Sequence, residues 1–172
     1  MRETASILVL TETSDRWFGT PEILGELLRI EGINDVDAAP LETVTEDMLT
    51  DRYLVVLGPS DPAGDIVDLL LAHVEAGMGL ICLSPGEAFA SKLGLEPRLT
   101  GVMHPRMTVP LPGFPESGIP IKGWAQQFQP ASNFEMLCPL LNPDGTSAGS
   151  PAILESTKGN GKITVLAYDV AS

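Results

Sequence analysis

A chain of 172 residues, 44% of them apolar and 19% charged, has enough material for one compact domain and the balance of a globular fold. Its formal net charge of −13 repels a phosphate backbone, which argues against nucleic acid as a partner, and disfavours anionic membrane surfaces for the same reason. No run approaches the roughly 20 apolar residues that span a bilayer, so no membrane partner is expected.

The N-terminal MRETASILVLTETSD carries one arginine and then a short apolar run broken by acids. It reads as a first strand, SILVLT (6–11), rather than a signal peptide, and leaves the cytoplasm as the default location. The loop TSDRWFG follows. Thr20 can cap a helix that opens on Pro21, since proline suits the first helical position. In PEILGELLRIEG, Ile23, Leu24, Leu27, Leu28 and Ile30 share one helical face, and Gly32 ends it. INDVDAAPL reads as a weak second strand at a sheet edge, because Pro40 cannot donate to a ladder.

A short helix is expected between Thr45 and Asp51, then a strand, YLVVLG (53–58), apolar enough to be covered on both faces. Asp61-Pro62 repeats the pairing of cap and proline before AGDIVDLLLAHVEAG, a helix expected to bury Ile66, Val67, Leu70, Leu71 and Val74. LICLS (80–84) is the next strand, and a further helix runs from about Pro85 to Leu93, ending at Gly94. Alternation of strand and helix over the first 95 residues predicts a parallel sheet with helices on both faces.

The stretch from Glu96 to Pro151 holds ten of the fifteen prolines. It reads either as a linker or as an ordered excursion of short strands. Val109, Leu111, Phe114, Ile119, Ile121 and Trp124 favour order. FEMLCPLL, PAILES and KITVLAYDV then read as three more strands, with NPDG (142–145) and KGNGK (158–162) as hairpin turns.

In an open parallel sheet, ligands sit at the carboxyl ends of the strands. Those ends carry Ser14, Asp15, Ser60, Asp61, Ser84 and Glu87, with Trp17 close by as a stacking surface for a sugar or other flat ligand. Each has a plainer role. Asp61 caps the helix behind Pro62. Ser84-Pro85-Gly86-Glu87 matches a capping box. Ser14 and Asp15 solvate a loop, and Trp17 and Phe18 pack on the first helix.

Residues 80–94, LICLSPGEAFASKLG, are similar to the nucleophile region of class I glutamine amidotransferases, where a strand runs through G-x-C-x-G into a helix. ILVLT, LGPSDP, AGMGLI and the closing SPAILESTKGNGKITVLAYDV follow the same order, so the resemblance covers most of residues 5–95 and 150–170. It implies an α/β, three-layer, doubly wound domain over residues 1–172. The sheet would be mainly parallel with an antiparallel C-terminal hairpin, and residues 95–150 would form a proline-rich excursion.

The family's Cys-His-Glu triad does not carry over. Cys82 lacks both flanking glycines, having Leu80 before it and Ser84 after, and it lies inside the strand, where a thiol packs as a small hydrophobe. No histidine follows His104, and neither His104 nor His73 has a matching glutamate two residues on. Without a base, a thiol of ordinary pKa is only a few per cent ionised at neutral pH. No HExxH, CxxC, GxGxxG or GxxxxGK[ST] is present, so no metal and no cofactor are expected.

The expected role is therefore that of a non-catalytic module. It would bind a small molecule or carbohydrate, or mediate assembly within a larger protein of which it is the N-terminal piece. A homodimer contact through residues 105–130 with Trp124 is one form of that assembly. The rival is a hydrolase or amidotransferase with a site remodelled around Cys82 or Ser84, with Glu87 or Asp61 assisting.

Overall fold

The computed structural model describes residues 5–13, 21–130 and 132–170. Four parallel strands open the chain: β1 (Ile7–Thr11), β2 (Val36–Pro40), β3 (Leu54–Leu57) and β4 (Gly79–Leu83). Between them run α1 (Pro21–Ile30), α2 (Glu46–Leu49) and α3 (Gly64–Ala76), and α4 (Glu87–Leu93) follows β4. The remaining strands are β5 (Leu95–Met103), β6 (Arg106–Met107), β7 (Ile119–Pro120), β8 (Trp124–Pro130), β9 (Phe134–Leu141), β10 (Ser147–Lys158) and β11 (Gly161–Leu166). Among the described residues, nine strands form one sheet in the order β2-β1-β3-β4-β11-β10-β9-β6-β7, and β5 and β8 form a second. This is an α/β fold on a mixed sheet, parallel in its first half. No helix is long and apolar enough to cross a membrane.

Strand alternation sorts the core into two sides. Leu8, Leu10, Val55, Leu57, Leu80 and Cys82 point to the face packed by α2, α3 and α4, where Leu49, Val67, Leu70, Val74 and Phe89 are buried. Val9, Val56 and Leu83 point to the other, where α1 lays Leu24 and Leu28. Proline marks both sheet edges, in β2 and in β7, where a missing N–H breaks no ladder.

The C-terminal hairpin turns its last strand into the sheet. β11 is antiparallel to β10 but parallel to β4, with Leu166 opposite Leu83. Its turn docks on the end of α3, where Asn160 donates to the Glu75 carbonyl at 3.0 Å and Lys158 pairs with the Glu75 carboxylate at 2.7 Å. A side chain at Gly161 would collide with the Val74 and Met78 carbonyls, so this docking needs glycine there.

Four expectations change. Asp61 does not cap the helix behind Pro62, since α3 opens two residues later on Ala63 and has no side-chain cap. The capping box of Ser84 and Glu87 does not form either: Gly86 stands at the N-cap of α4 and Ser84 lies in the left-handed region at φ +44. The apolar face of α1 is only half used, because Ile23, Leu27 and Ile30 are exposed. And KITVLAYDV does not stay in one strand: β11 stops at Leu166, and Ala167 and Tyr168 turn to β8, where Gln126 donates to the Ala167 carbonyl at 2.7 Å.

The proline-rich excursion is ordered. β5 and β8 pair antiparallel, and they send Leu95 and Phe128 into the main core and Val102 and Ala125 into a second one with Cys138, Leu140 and Ala152. Between Pro97 and Gly101 the register slips, and the slip is braced by Gln127, which accepts from the Thr100 hydroxyl at 2.9 Å and donates to the Ala148 carbonyl at 2.7 Å.

Candidate functional site

The order β2-β1-β3-β4 reverses direction between β1 and β3, so the crevice of an open α/β sheet lies beyond their carboxyl ends. The loops after β1, β3 and β4 meet there. Ser14, Asp15 and Trp17, with Thr20 and Phe18, lie outside the described residues. Ser60, Asp61, Ser84 and Glu87 are described, and the fold ties Ser60 and Asp61 to Gly86, Ala88 and Phe89, just past Ser84.

Asp61 is the hinge of this cluster. Its carboxylate accepts from the Phe89 N–H at 2.7 Å and the Ala88 N–H at 3.4 Å, in the first turn of α4. It therefore caps the helix of the neighbouring loop, 27 and 28 residues away in sequence. The approach is close enough that a side chain at Gly86 would strike the Asp61 side chain. The Gly86 N–H donates to the Ser60 carbonyl at 2.7 Å, which ties the two loops a second time. The Asp61 N–H donates to the Glu12 carboxylate at 2.8 Å, across the point where the strand order reverses. The Ser60 hydroxyl turns back onto the Gly58 carbonyl at 2.9 Å and is buried.

Glu12 and Glu42 escaped the sequence reading. Glu42 follows the edge strand and takes the Thr13 N–H at 2.8 Å and the Thr13 hydroxyl at 3.0 Å. Its own backbone N–H, and then that of Thr13, hold its carboxyl below the ordinary value of 4.5. The available signal was position alone: both glutamates stand one or two residues past a strand's carboxyl end. Among the described residues the rim carries Glu12, Glu42, Asp61 and Glu87, all acidic.

Cys82 lies inside β4, one residue before its end, opposite Leu57 on one side and Val165 on the other, and is 1% exposed. Burial pushes its thiol far above the ordinary value of 9.0, so it is un-ionised throughout the physiological range. The strained junction of a nucleophile elbow falls two residues later, on Ser84. Its N–H still donates to the Leu166 carbonyl at 2.8 Å before the chain turns, and Gly86 supplies the small residue two places on. The sequence signal was there as C-x-S-x-G, in which the cysteine takes the place of the first glycine.

Neither histidine stands at this end of the sheet beside Ser84. His73 is in the last turn of α3, at the amino end of the sheet, and His104 follows β5, where its backbone N–H donates to the Gly123 carbonyl at 2.6 Å. Among the described residues neither histidine is hydrogen-bonded to Ser84, and no group of three His, Cys, Asp or Glu is placed to hold a metal ion.

No protein-family model matches the chain, and no curated protein matches it in sequence. Solved structures do match in fold. A ThuA-like protein from Bacteroides uniformis superposes with a TM-score of 0.68 at 13% identity, over 95% of this chain and 81% of that one. The cytoplasmic protein STM1381 from Salmonella typhimurium gives 0.66 at 16% identity, over 95% and 87%. The exo-β-1,4-mannosidase Op5Man5 from an Opitutaceae bacterium gives 0.63 at 17% identity, over 98% of this chain but only 32% of the enzyme. Several β-galactosidases match in the same partial way. At these identities the likeness is one of fold. The chain spans most of the length of the first two proteins and about a third of the mannosidase.

Proposed function

We propose that this chain is a three-layer domain of the class I glutamine amidotransferase-like type that has lost catalysis and acts by contact, as an assembly module within a larger protein. One observation carries the reading. The crevice that would hold the reaction is spent on its own structure: Glu12 holds the Asp61 N–H, Asp61 holds the first turn of α4, and Ser60 bonds back to Gly58. The recurrence of this fold as a part of glycosidases supports a place inside a larger carbohydrate-active protein. A ligand, if one is bound at the crevice, is a small molecule or sugar held with Ser14, Asp15 and Trp17. A homodimer through residues 105–130 would use Leu111, Phe114 and Trp124, which are exposed.

A second reading has one observation in its favour. Ser84 occupies the elbow with positive φ, the posture in which a hydroxyl is presented to a substrate. It is a nucleophile without an activator, and on our reading it is inert. Treatment with a fluorophosphonate, followed by peptide mass spectrometry, separates the two. We expect no adduct on the peptide carrying Ser84. An adduct that disappears in Ser84→Ala would make the chain a serine hydrolase and end the non-catalytic reading.

A further inference from the structure

We propose that a cleft between α3, α4, the start of β9 and the end of β10 binds a small carboxylic acid with an apolar body. The inference goes beyond the contact-module reading. It concerns a different place, toward the amino ends of β4 and β11, where Ile163 stands opposite Leu80 and away from the crevice at the carboxyl ends.

The cleft begins with one residue out of pattern. Phe134 on β9, Ser156 on β10 and Ile163 on β11 stand side by side across the sheet. Phe134 and Ile163 belong to the main core, on the face packed by α3 and α4. Leu154, two residues before Ser156 on the same face, shows what β10 places there for packing alone. Ser156 breaks that run and is 4% exposed. A hydroxyl in such a place finds partners or costs stability. Ser156 accepts from the Asn133 side-chain amide at 3.1 Å, which uses one lone pair of its oxygen. Among the described residues its own proton has no acceptor, so the hydroxyl keeps one donor to give.

The walls are apolar. Leu71 from α3 and Leu93 from α4 join Phe134 and Ile163 around a cleft of about 130 Å³. Helix cover stops here because α4 is short: Gly94 ends it in the left-handed region at φ +89, and the chain leaves for β5. An apolar cavity of about 150 Å³ takes a benzene ring, so this cleft has room for a ring or branched chain of about six carbons.

The rim is cationic. The chain has 10 lysines and arginines against 23 acids, yet Lys92 and Lys158 both line this cleft, and among the described residues that line it none is acidic. Lys158 is already engaged, since its ammonium pairs with the Glu75 carboxylate at 2.7 Å. Lys92 is exposed in the last turn of α4 and has no ion pair among the described residues. The Lys92 ammonium, the Ser156 hydroxyl proton and the second amide proton of Asn133 are therefore donors around an apolar hollow. Together they select an acceptor with one negative charge. Inorganic phosphate would meet the rim and leave the apolar walls without a partner. A neutral ring would fill the walls and leave Lys92 unused. A monocarboxylate on an apolar body answers both.

The test titrates the intact chain with three probes and follows amide chemical shifts by NMR. The probes are benzoate, benzamide, which has nearly the same shape and no charge, and inorganic phosphate. We expect saturable shifts from benzoate centred on residues 92–93, 133–134 and 156–158, with an affinity about tenfold or more above that of benzamide. Lys92→Gln should weaken benzoate about tenfold and leave benzamide within about twofold. Ser156→Ala should weaken benzoate about threefold or more. Lys92 is exposed, so its variant keeps the fold, which unchanged shifts in the core verify. Lys122→Gln, at an exposed lysine between β7 and β8, removes the same charge and should leave benzoate binding within about twofold. Benzamide binding as tightly as benzoate would overturn the proposal, as would phosphate giving the same shifts at equal affinity. So would an equal loss in Lys122→Gln, or no saturable shift at these residues. An adduct on Ser84 would bear on the crevice alone and leave this result standing.

Discussion

Cys82, Ser84 and Glu42 each do something other than their chemistry first suggests, and local surroundings explain why. Cys82 has a nucleophile's side chain but a hydrophobe's position between Leu57 and Val165. Ser84 has the elbow's backbone, and among the described residues no histidine is hydrogen-bonded to it. Glu42 is a surface acid whose ionised form is held by two backbone N–H groups and a hydroxyl. Its folded pKa is depressed, so its contribution is complete above its unfolded value and is lost as pH falls through the lower folded one. The acid limb of stability, below the ordinary glutamate value of 4.5, should therefore flatten in Glu42→Gln, with the midpoint near neutrality lowered. Thermal unfolding followed from pH 7 down to about 3 measures this. Parallel curves for the two proteins would show that Glu42 does not anchor Thr13.

At the scale of elements, the helices and strands were largely legible in sequence, and their long-range partners were not. Alternating strand and helix signals located β1, β3, β4, α1, α3 and α4, and Pro40 placed β2 at an edge. The pattern Asp-Pro located a cap correctly and assigned it to the wrong helix. A cap is chosen by which N–H groups lie in reach, and the fold sets Asp61 closer to α4 than to its own α3. The capping box failed for a related reason: Asp61 already occupies the first donors of α4. Asp61→Ala should therefore destabilise α4, by about 1 kcal/mol, and leave α3 intact. Hydrogen exchange resolves the two, with faster exchange expected at Ala88, Phe89 and Ala90 and none of it in residues 64–76. Faster exchange in α3 would restore the local cap that the sequence suggested.

At the scale of the whole molecule, the excursion is part of the core and not an addition to it. Phe128 is fully buried against the main sheet, and the β5–β8 pair closes over the carboxyl end of β11 through Tyr168 and Ala167. Composition predicted order there, from apolar residues such as Ile121 and Trp124. It could not supply the pairing, since the register slip between Pro97 and Gly101 is set by Gln127 reaching Ala148, in a strand that comes later in the chain. The central claim is that the β4 junction carries packing and no reaction, and the whole fold guards it. The most direct measurement is the native alkylation rate of Cys82 across a range of pH, separated by peptide mass spectrometry from that of Cys138. The account predicts labelling of Cys82 only at the rate of global unfolding, at every pH where the chain is folded. Rapid labelling with a midpoint well below about 8 would reveal an exposed, activated thiolate and contradict it.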